Sequence, residues 1–415
     1  MAVVAPVDAR LVAADPAVPG LAEVLCPLEL ARSLGWAVAD AQIRYVRYKP
    51  GTSMVAGLRM RDLEGGTFLA QALAVTEEAA PKLDKIAREG ENDDVGRGSA
   101  VDVRRGVAVA DATADRHLPG IRNLVRDAER LDPLVYKPGR RWVARLDGPA
   151  GVPQLAKVHR PTDLPAVLAG YSALAGLPVP VVDRVDRRAG TVVNDWVPGV
   201  ALDTVTGPSV DGLWALAGAA LAEIHRQPAI DGLTTGDHVL ELEDAVHGVL
   251  AVLPGVAPTA RAVAERLRAA LGDAQPRVVH GDFSADQVIV RGGPDGAAPD
   301  DDAPGRAVAD TGTEAAVSVL DLDRVRLDDP MSDLGSWYGA HVAAAGSGAP
   351  DPEELLAPLL AGYTGAGGLL DARLLRLHCA AGVLRRAAEP FRRHTPDWPD
   401  AVAALVGSAR ELAAP

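Results

Sequence analysis

The sequence predicts an α+β fold. A small β-rich lobe leads into a mostly helical lobe, and a second β-rich unit stands in front of both. Three observations predict this. Strand-type patterns with Pro-Gly turns fill Ile43 to Val75. The same pattern returns from Val135. From Ser209 onward the apolar spacing is mainly helical.

Composition bounds the rest. A 415-residue chain with 48% hydrophobic residues can build two or three cores, so wholesale disorder is excluded. A formal net charge of −14 argues against a non-specific nucleic-acid binder and suits a neutral or cationic small substrate. Cys26 and Cys379 lie far apart, which excludes a disulfide framework or a cysteine-only zinc site. Met1 to Pro19 has no basic stretch followed by an apolar core, and no run of about 18 apolar residues occurs. The chain therefore reads as soluble and cytoplasmic. Lysine occurs only at positions 49, 82, 85, 137 and 157, in a chain whose other basic residues are arginines. Lys82 and Lys85 read as chance survivors of that bias.

Leu21 to Trp36 reads as a short helix, and three strands follow between Ile43 and Val75. Residues 76–105 are charged and glycine-bearing, a loop or short helix. Val135 to Leu146 then repeats Arg47 to Leu58 at an offset of 88 residues, around a shared Tyr-Lys-Pro-Gly turn. A third strand recurs too, with Gln154-Leu-Ala-Lys157 aligned on Phe68-Leu-Ala-Gln71. Hairpin and third strand recurring together indicate duplication. In this alignment the second copy has Lys157 where the first has Gln71, so the first copy reads as a cap without the charge. A helix follows over Asp163 to Ala175, then strands over Val181 to Val185 and Thr191 to Trp196. Helices cover Trp214 to Arg226, His238 to Leu253 and Pro258 to Leu271. Further helices cover Met331 to Ala345, Pro352 to Tyr363, Ala372 to Arg393 and Asp400 to Leu412. Gly292 to Ala315, rich in Gly, Pro and Asp, reads as a disordered insertion. Domain boundaries follow: a cap over 1–130, a sheet lobe and connection over 131–200, and a helical lobe over 201–415.

The segment Val278-Val-His-Gly-Asp-Phe-Ser-Ala-Asp-Gln-Val288 is the strongest chemical signal. Asp282 follows a buried strand, and Gln287 opens the next. Asp321 closes a later strand, and Asp329-Pro-Met-Ser-Asp-Leu334 opens a helix. Phosphoryl transfer uses such a set. One carboxylate orients the acceptor hydroxyl and takes its proton, a second carboxylate and a neutral oxygen hold Mg²⁺, and a lysine neutralises phosphate charge. Asp282 is read as the catalytic acid–base residue, Gln287 and Asp321 as metal ligands, and Lys157 as the phosphate contact. His280 reads as a loop-ordering residue and Asp333 as a brace for that loop or a first-turn helix acid. Asp323 and Asp286 read as solvated or as facing a polar substrate. His225 reads as a packed core histidine, and Arg385-Arg386 as a solvated helix face.

His280-Gly281-Asp282 with Gln287, then Leu320-Asp321-Leu322 and Asp328-Asp329-Pro330 with Asp333-Leu334, resembles the aminoglycoside phosphotransferase superfamily over residues 131–415. The resemblance implies a bilobal, protein-kinase-like fold with a β-rich N-terminal lobe and a mostly helical C-terminal lobe, here preceded by a cap. It implies ATP (or GTP) and Mg²⁺, with adenine bonded to backbone near Asn194, Asp195, Trp196 and Val197. Three features depart from the family pattern. Gln287 replaces the usual Asn, as in maltokinase- and glucosamine-kinase-like members, which are similar also in their cap. The helix after Lys157 offers only Asp163 as an acidic partner. Lys137-Pro-Gly-Arg140 stands where a glycine-rich loop would be. The reading favoured is a kinase for a hydroxyl of a sugar or aminosugar. Two alternatives are an antibiotic-modifying phosphotransferase and an inactive, kinase-like binding protein.

Overall fold

The computed structural model describes residues 4–148, 151–271, 275–291, 306–307, 316–346 and 348–414. The chain divides into two compact units. One comprises Met1–Leu164, Val182–Asp195 and Glu389–Asp400; the other comprises Pro165–Val181, Trp196–Ala388 and Ala401–Pro415.

The first unit opens with α1 (Pro6–Ala14), α2 (Leu21–Val24) and α3 (Pro27–Ser33). The single helix expected over Leu21 to Trp36 is split, because Pro27 has no amide to continue a ladder and starts a new helix instead. Strands β1 (Val38–Lys49), β2 (Ser53–Asp62) and β3 (Thr67–Val75) follow as antiparallel neighbours. Residues 76–105 hold more than the expected loop or short helix. They form α4 (Pro81–Glu91) and β4 (Ser99–Asp102) before β5 (Val107–Asp111), and the sheet order is β1-β2-β3-β5-β4. Helix α4 buries only Leu83 fully, and β4 is a half-buried four-residue edge. The apolar stripe of α4, Leu83, Ile86 and Ala87, is narrow and set among charged residues, which is why the stretch reads as a loop or short helix.

A second sheet repeats this plan. After α5 (Gly120–Asp127) come β6 (Leu131–Lys137), β7 (Arg141–Asp147) and β8 (Pro153–His159). Helix α6 (Leu164–Ala173) intervenes before β9 (Val182–Asp186) and β10 (Thr191–Asp195), and the order is β6-β7-β8-β10-β9. Both sheets thus place the fifth strand between the third and fourth. Local bonding repeats as well. Buried Asp15 accepts from the Tyr48 hydroxyl at 2.7 Å and the Gly51 amide at 2.8 Å. Buried Asp115 accepts from Tyr136 at 3.0 Å and Gly139 at 2.6 Å. Asp102 and Asp186 each accept two backbone amides in matching turns, which end at Gly106 and Gly190 with φ of 67° and 72°.

Strand register corrects one sequence alignment. Val55 pairs Leu73 and Leu73 pairs Ala108 in the first sheet. Val143 pairs Lys157 and Lys157 pairs Val192 in the second. The counterpart of Lys157 is therefore Leu73, and Gln71 corresponds to Leu155. The alignment on Leu-Ala misled because it placed the copies two residues out of step.

Besides the segment that carries α6, the second unit holds β11 (Val200–Ala201) and β12 (Val205–Thr206), then α7 (Val210–His225), α8 (His238–Val252) and α9 (Ala257–Ala270). Strands β13 (Arg277–Val279), β14 (Val288–Arg291), β15 (Arg306–Ala307), β16 (Ala316–Val319) and β17 (Arg326–Asp328) form small sheets: β11-β14-β16, β13-β17 and the parallel pair β12-β15. The insertion read at 292–315 lies outside the described residues except for β15. Helices α10 (Met331–Ala345), α11 (Pro352–Gly365) and α12 (Ala372–Arg386) complete the bundle. Helices α10 and α12 cross where Gly335 faces Gly382, a spot with no room for a Cβ on either side.

The helix expected over Ala372 to Arg393 breaks before α13 (Glu389–Arg392), where Pro390 removes a donor. From there the chain rejoins the first unit. Asp8 of α1 accepts from Trp398 Nε1 at 2.9 Å and pairs with His394 Nε2 at 3.0 Å, while Phe391 packs on Tyr48. Trp398 opens the last helix, α14 (Trp398–Leu412). No helix among the described residues is long and apolar enough to cross a membrane.

Candidate active site

The loop between β13 and β14 is shaped by a buried acid. Asp333, in the first turn of α10, has no exposed side-chain surface and accepts from the backbone amides of His280 at 2.7 Å and Gly281 at 2.8 Å. His225 Nε2 lies 3.1 Å from the same carboxylate, and its Nδ1 lies 2.9 Å from the Tyr363 hydroxyl. Burial raises the Asp333 carboxyl, but the His225 bond and the amides outweigh it and hold it below the usual range. The carboxylate is thus a rigid acceptor that pins two successive amides. Asp333 does the bracing expected of it. His225 is not merely a packed core residue; it is the second anchor of this brace.

His280 orders the loop from the other side. Its Nε2 lies 2.7 Å from the Leu320 carbonyl, and its Nδ1 accepts from the Asp282 amide at 3.4 Å. Gly281 has φ of 83°, and a Cβ there would strike the Arg324 carbonyl. Glycine is the residue that fits both constraints. The backbone is therefore fixed on both sides of Asp282.

The Asp282 side chain is 37% exposed and pairs with two guanidiniums. Arg386 Nη2 lies 3.0 Å from Oδ1, and Arg324 Nη1 lies 3.7 Å from Oδ2. Burial raises the Asp282 carboxyl, Arg324 and Arg386 lower it, and neighbouring Asp321 raises it again; the net effect is downward. The group is held ionised and reachable, as a proton acceptor must be. Arg386 corrects an expectation: it is no solvated helix residue but reaches Asp282 and Ser336 from the end of α12. Arg385 likewise pairs with Glu241 at 2.6 Å. Asp282 and Glu241 lie more than a hundred residues away in sequence and Ser336 lies 50 away, so no local pattern could show them.

Asp321 closes β16 in a left-handed conformation, φ 58° and ψ 56°. A non-glycine residue rarely adopts this, and such strain concentrates at functional positions. The next link is direct: the Leu320 amide donates to the Gln287 carbonyl at 2.7 Å, tying the residue before Asp321 to Gln287. Gln287 Nε2 donates to Asp286 at 2.9 Å, which leaves its amide oxygen as a donor for a cation.

Residues 121–297 match the family described as the phosphotransferase enzyme family. A solved structure, the microcompartment-associated aminopropanol kinase, superposes with a TM-score of 0.50 at 17% identity, over 70% of this chain and 94% of that one. A choline/ethanolamine kinase family protein from Mesorhizobium loti gives 0.46 at 18% identity, over 70% and 94% of the two chains. The aminoglycoside phosphotransferase APH(3'')-Id from Streptomyces rimosus gives 0.43 at 18%, over 66% and 98%. No curated protein matches the chain.

The fold is that of the aminoglycoside phosphotransferase superfamily. The match over residues 121–297 and the shared fold support a phosphotransferase acting on a hydroxyl-bearing small molecule. Lys157 sits at the middle of β8, 5% exposed, between Val143 and Val192. Asp163, the acid considered as its partner, is exposed and accepts from the Thr162 hydroxyl at 3.0 Å. Asn194 is fully buried and Asp195 exposed at the end of β10; Trp196 and Val197 follow where the first unit gives way to the second.

A carboxylate and an amide oxygen are hard donors of the kind Mg²⁺ takes, and Mg²⁺ commonly keeps several waters besides one or two protein ligands. The Asp321–Gln287 set fits that need. Among the described residues no group of three or more His, Cys, Asp or Glu could hold a metal by protein ligands alone.

Proposed function

We propose that this phosphotransferase moves the γ-phosphate of ATP to a hydroxyl of a sugar or aminosugar. The observation that supports it most is Asp282, ionised by two arginines on a loop locked by His280 and Asp333. Asp282 accepts a hydrogen bond from the acceptor hydroxyl and takes its proton as the oxygen attacks. Gln287 and Asp321 would hold Mg²⁺, which neutralises charge on the nucleotide phosphates. Lys157 contributes positive charge toward those phosphates, and the backbone from Asn194 to Val197 serves the adenine. The domain division at about residues 130 and 200 belongs to the same proposal.

The sugar or aminosugar class rests on three features. Gln287 and the cap follow the maltokinase- and glucosamine-kinase-like pattern. Beside the catalytic loop, burial raises the Asp203 carboxyl and nearby Asp286 raises it further. That acidic flank suits a polyhydroxyl or amine-bearing acceptor.

The test is Asp282→Asn, assayed for ATP consumption over sugars, aminosugars and aminoglycosides. Turnover falls by about 10²–10⁴, the range for losing a positioned base, while Mg-ATP affinity stays near wild type. Wild-type turnover in the variant contradicts the assignment. Turnover confined to aminoglycosides moves the substrate class to antibiotics. Mg-ATP binding with no consumption over the whole panel moves the protein to a binding role.

A further inference from the structure

A cationic cavity lies between the first sheet and the Pro138–Gly139 turn of the second. It measures about 230 Å³ and lies over β1, β2 and β3 beneath α4. Arg47, Lys49, Lys82, Lys85 and Arg116 line it. Three of the chain's five lysines thus converge on one cavity, in a protein of net charge −14 where arginine otherwise serves as the cation. Lys82 and Lys85 are not chance survivors: placed at i and i+3 on one face of α4, both reach the cavity.

These charges are unspent. Among the described residues, none of the five forms an ion pair. Of the acids in the lining, Asp115 is occupied by Tyr136, Gly139 and the His117 amide, which leaves Glu89. Further cations stand near Arg47. Burial lowers the Arg47 guanidinium, and repulsion from Arg140 and Arg160 lowers it further. Five cations against the two lining acids, Asp115 and Glu89, leave an excess of positive charge that an anion would relieve.

The floor differs from the cations in character. Leu73 and Ile86 are apolar, and Leu73 is the counterpart of Lys157. This copy has no strand lysine there, and the charge comes instead from α4, from Arg47 and Lys49 at the end of β1, and from Arg116. The volume is smaller than the roughly 300–1,000 Å³ of sites for drug-sized ligands. It suits a phosphate monoester on a small body better than a nucleoside triphosphate.

We propose that the cap sheet binds a small phosphate ester in this cavity, held by Lys82, Lys85, Lys49, Arg47 and Arg116 over an apolar floor. The site is separate from the residues assigned to phosphoryl transfer, and its test does not need activity.

Isothermal titration of the full chain with glucose 6-phosphate and, separately, inorganic phosphate decides it. Glucose 6-phosphate binds once per chain, more weakly as salt rises. Lys82→Ala/Lys85→Ala weakens it at least about tenfold, and Lys82→Arg/Lys85→Arg retains it. Both lysines are exposed, so the variants keep the fold, and an unchanged melting temperature without ligand checks this. Inorganic phosphate binding with the same dependence supports the proposal and makes the phosphate group the determinant; its failure to bind supports it with the ester body as part of recognition. Absence of glucose 6-phosphate binding up to about 10 mM, or binding untouched by Lys82→Ala/Lys85→Ala, overturns it.

Discussion

The two five-stranded sheets of the first unit share a strand order, an Asp–Tyr–Gly clamp and a matching turn, yet differ at the one strand position where phosphate charge would be met. The second sheet has Lys157 there and the first has Leu73. The two copies keep in common what folds the sheet and differ where Lys157 is proposed to meet the ligand. The buried clamp is costly to lose because an unpartnered Tyr hydroxyl or backbone amide would remain inside. At the position of Lys157 the first copy has an apolar residue, Leu73, which packs into the core.

That contrast is sharpened by paired substitutions. Lys157→Ala lowers kcat/KM for ATP by about 10- to 10³-fold, as expected for losing a cation beside transferring phosphate. Leu73→Ala leaves kcat/KM unchanged and instead costs about 2–5 kcal/mol of stability, the range for a buried leucine. Steady-state kinetics with chemical denaturation reads both. Equal kinetic losses in the two variants break the comparison.

The clamps come next. Asp15→Asn and Asp115→Asn each lose a charged acceptor of a Tyr hydroxyl and a backbone amide, worth about 1.5–3 kcal/mol. Similar losses in urea titrations are expected from the two copies. A loss in only one shows that the matching geometry is not matched in energy. Asp8→Ala removes the partner of Trp398 and His394 and costs about 1–2 kcal/mol. It lies in the element that ties the returning chain to the cap, for which the second sheet has no equivalent.

The smallest effect concerns pH. Asp282 is held below its ordinary value of 3.8, so it is ionised above that point and loses its charge as pH falls through the lower folded value. The acid limb of kcat/KM therefore lies below about pH 4 for this group. Arg386→Gln removes one guanidinium and moves that limb upward. An unmoved limb removes Arg386 from the account.

Much of this organisation could be read from sequence. The hairpin repeat around Tyr48 and Tyr136 is visible because both turns need Pro-Gly. His280-Gly-Asp is visible because a positive-φ glycine must precede the acid. Two further repeats were there to be read: Ala-Asp-x3-Pro-Gly at 14–20 and 114–120, and Asp-x-Arg-x-Gly at 102–106 and 186–190. They fall at offsets of 100 and 84, so a search at one fixed offset passes them by. Register decided the Leu73 counterpart, and register is set by pairing across strands. Arg386, His225 and the lysines of α4 were unreadable for a similar reason, since their roles depend on partners brought close only by the folded chain.

The central claim is that one sheet serves the nucleotide and its copy does not. Calorimetric titration of Mg-ATP into wild type, Lys157→Ala and Lys82→Ala/Lys85→Ala tests it most directly. The account predicts one Mg-ATP per chain, with affinity at least about tenfold weaker in Lys157→Ala and unchanged in Lys82→Ala/Lys85→Ala. Two equivalent Mg-ATP sites, or a single site lost with the α4 lysines and indifferent to Lys157, would contradict it.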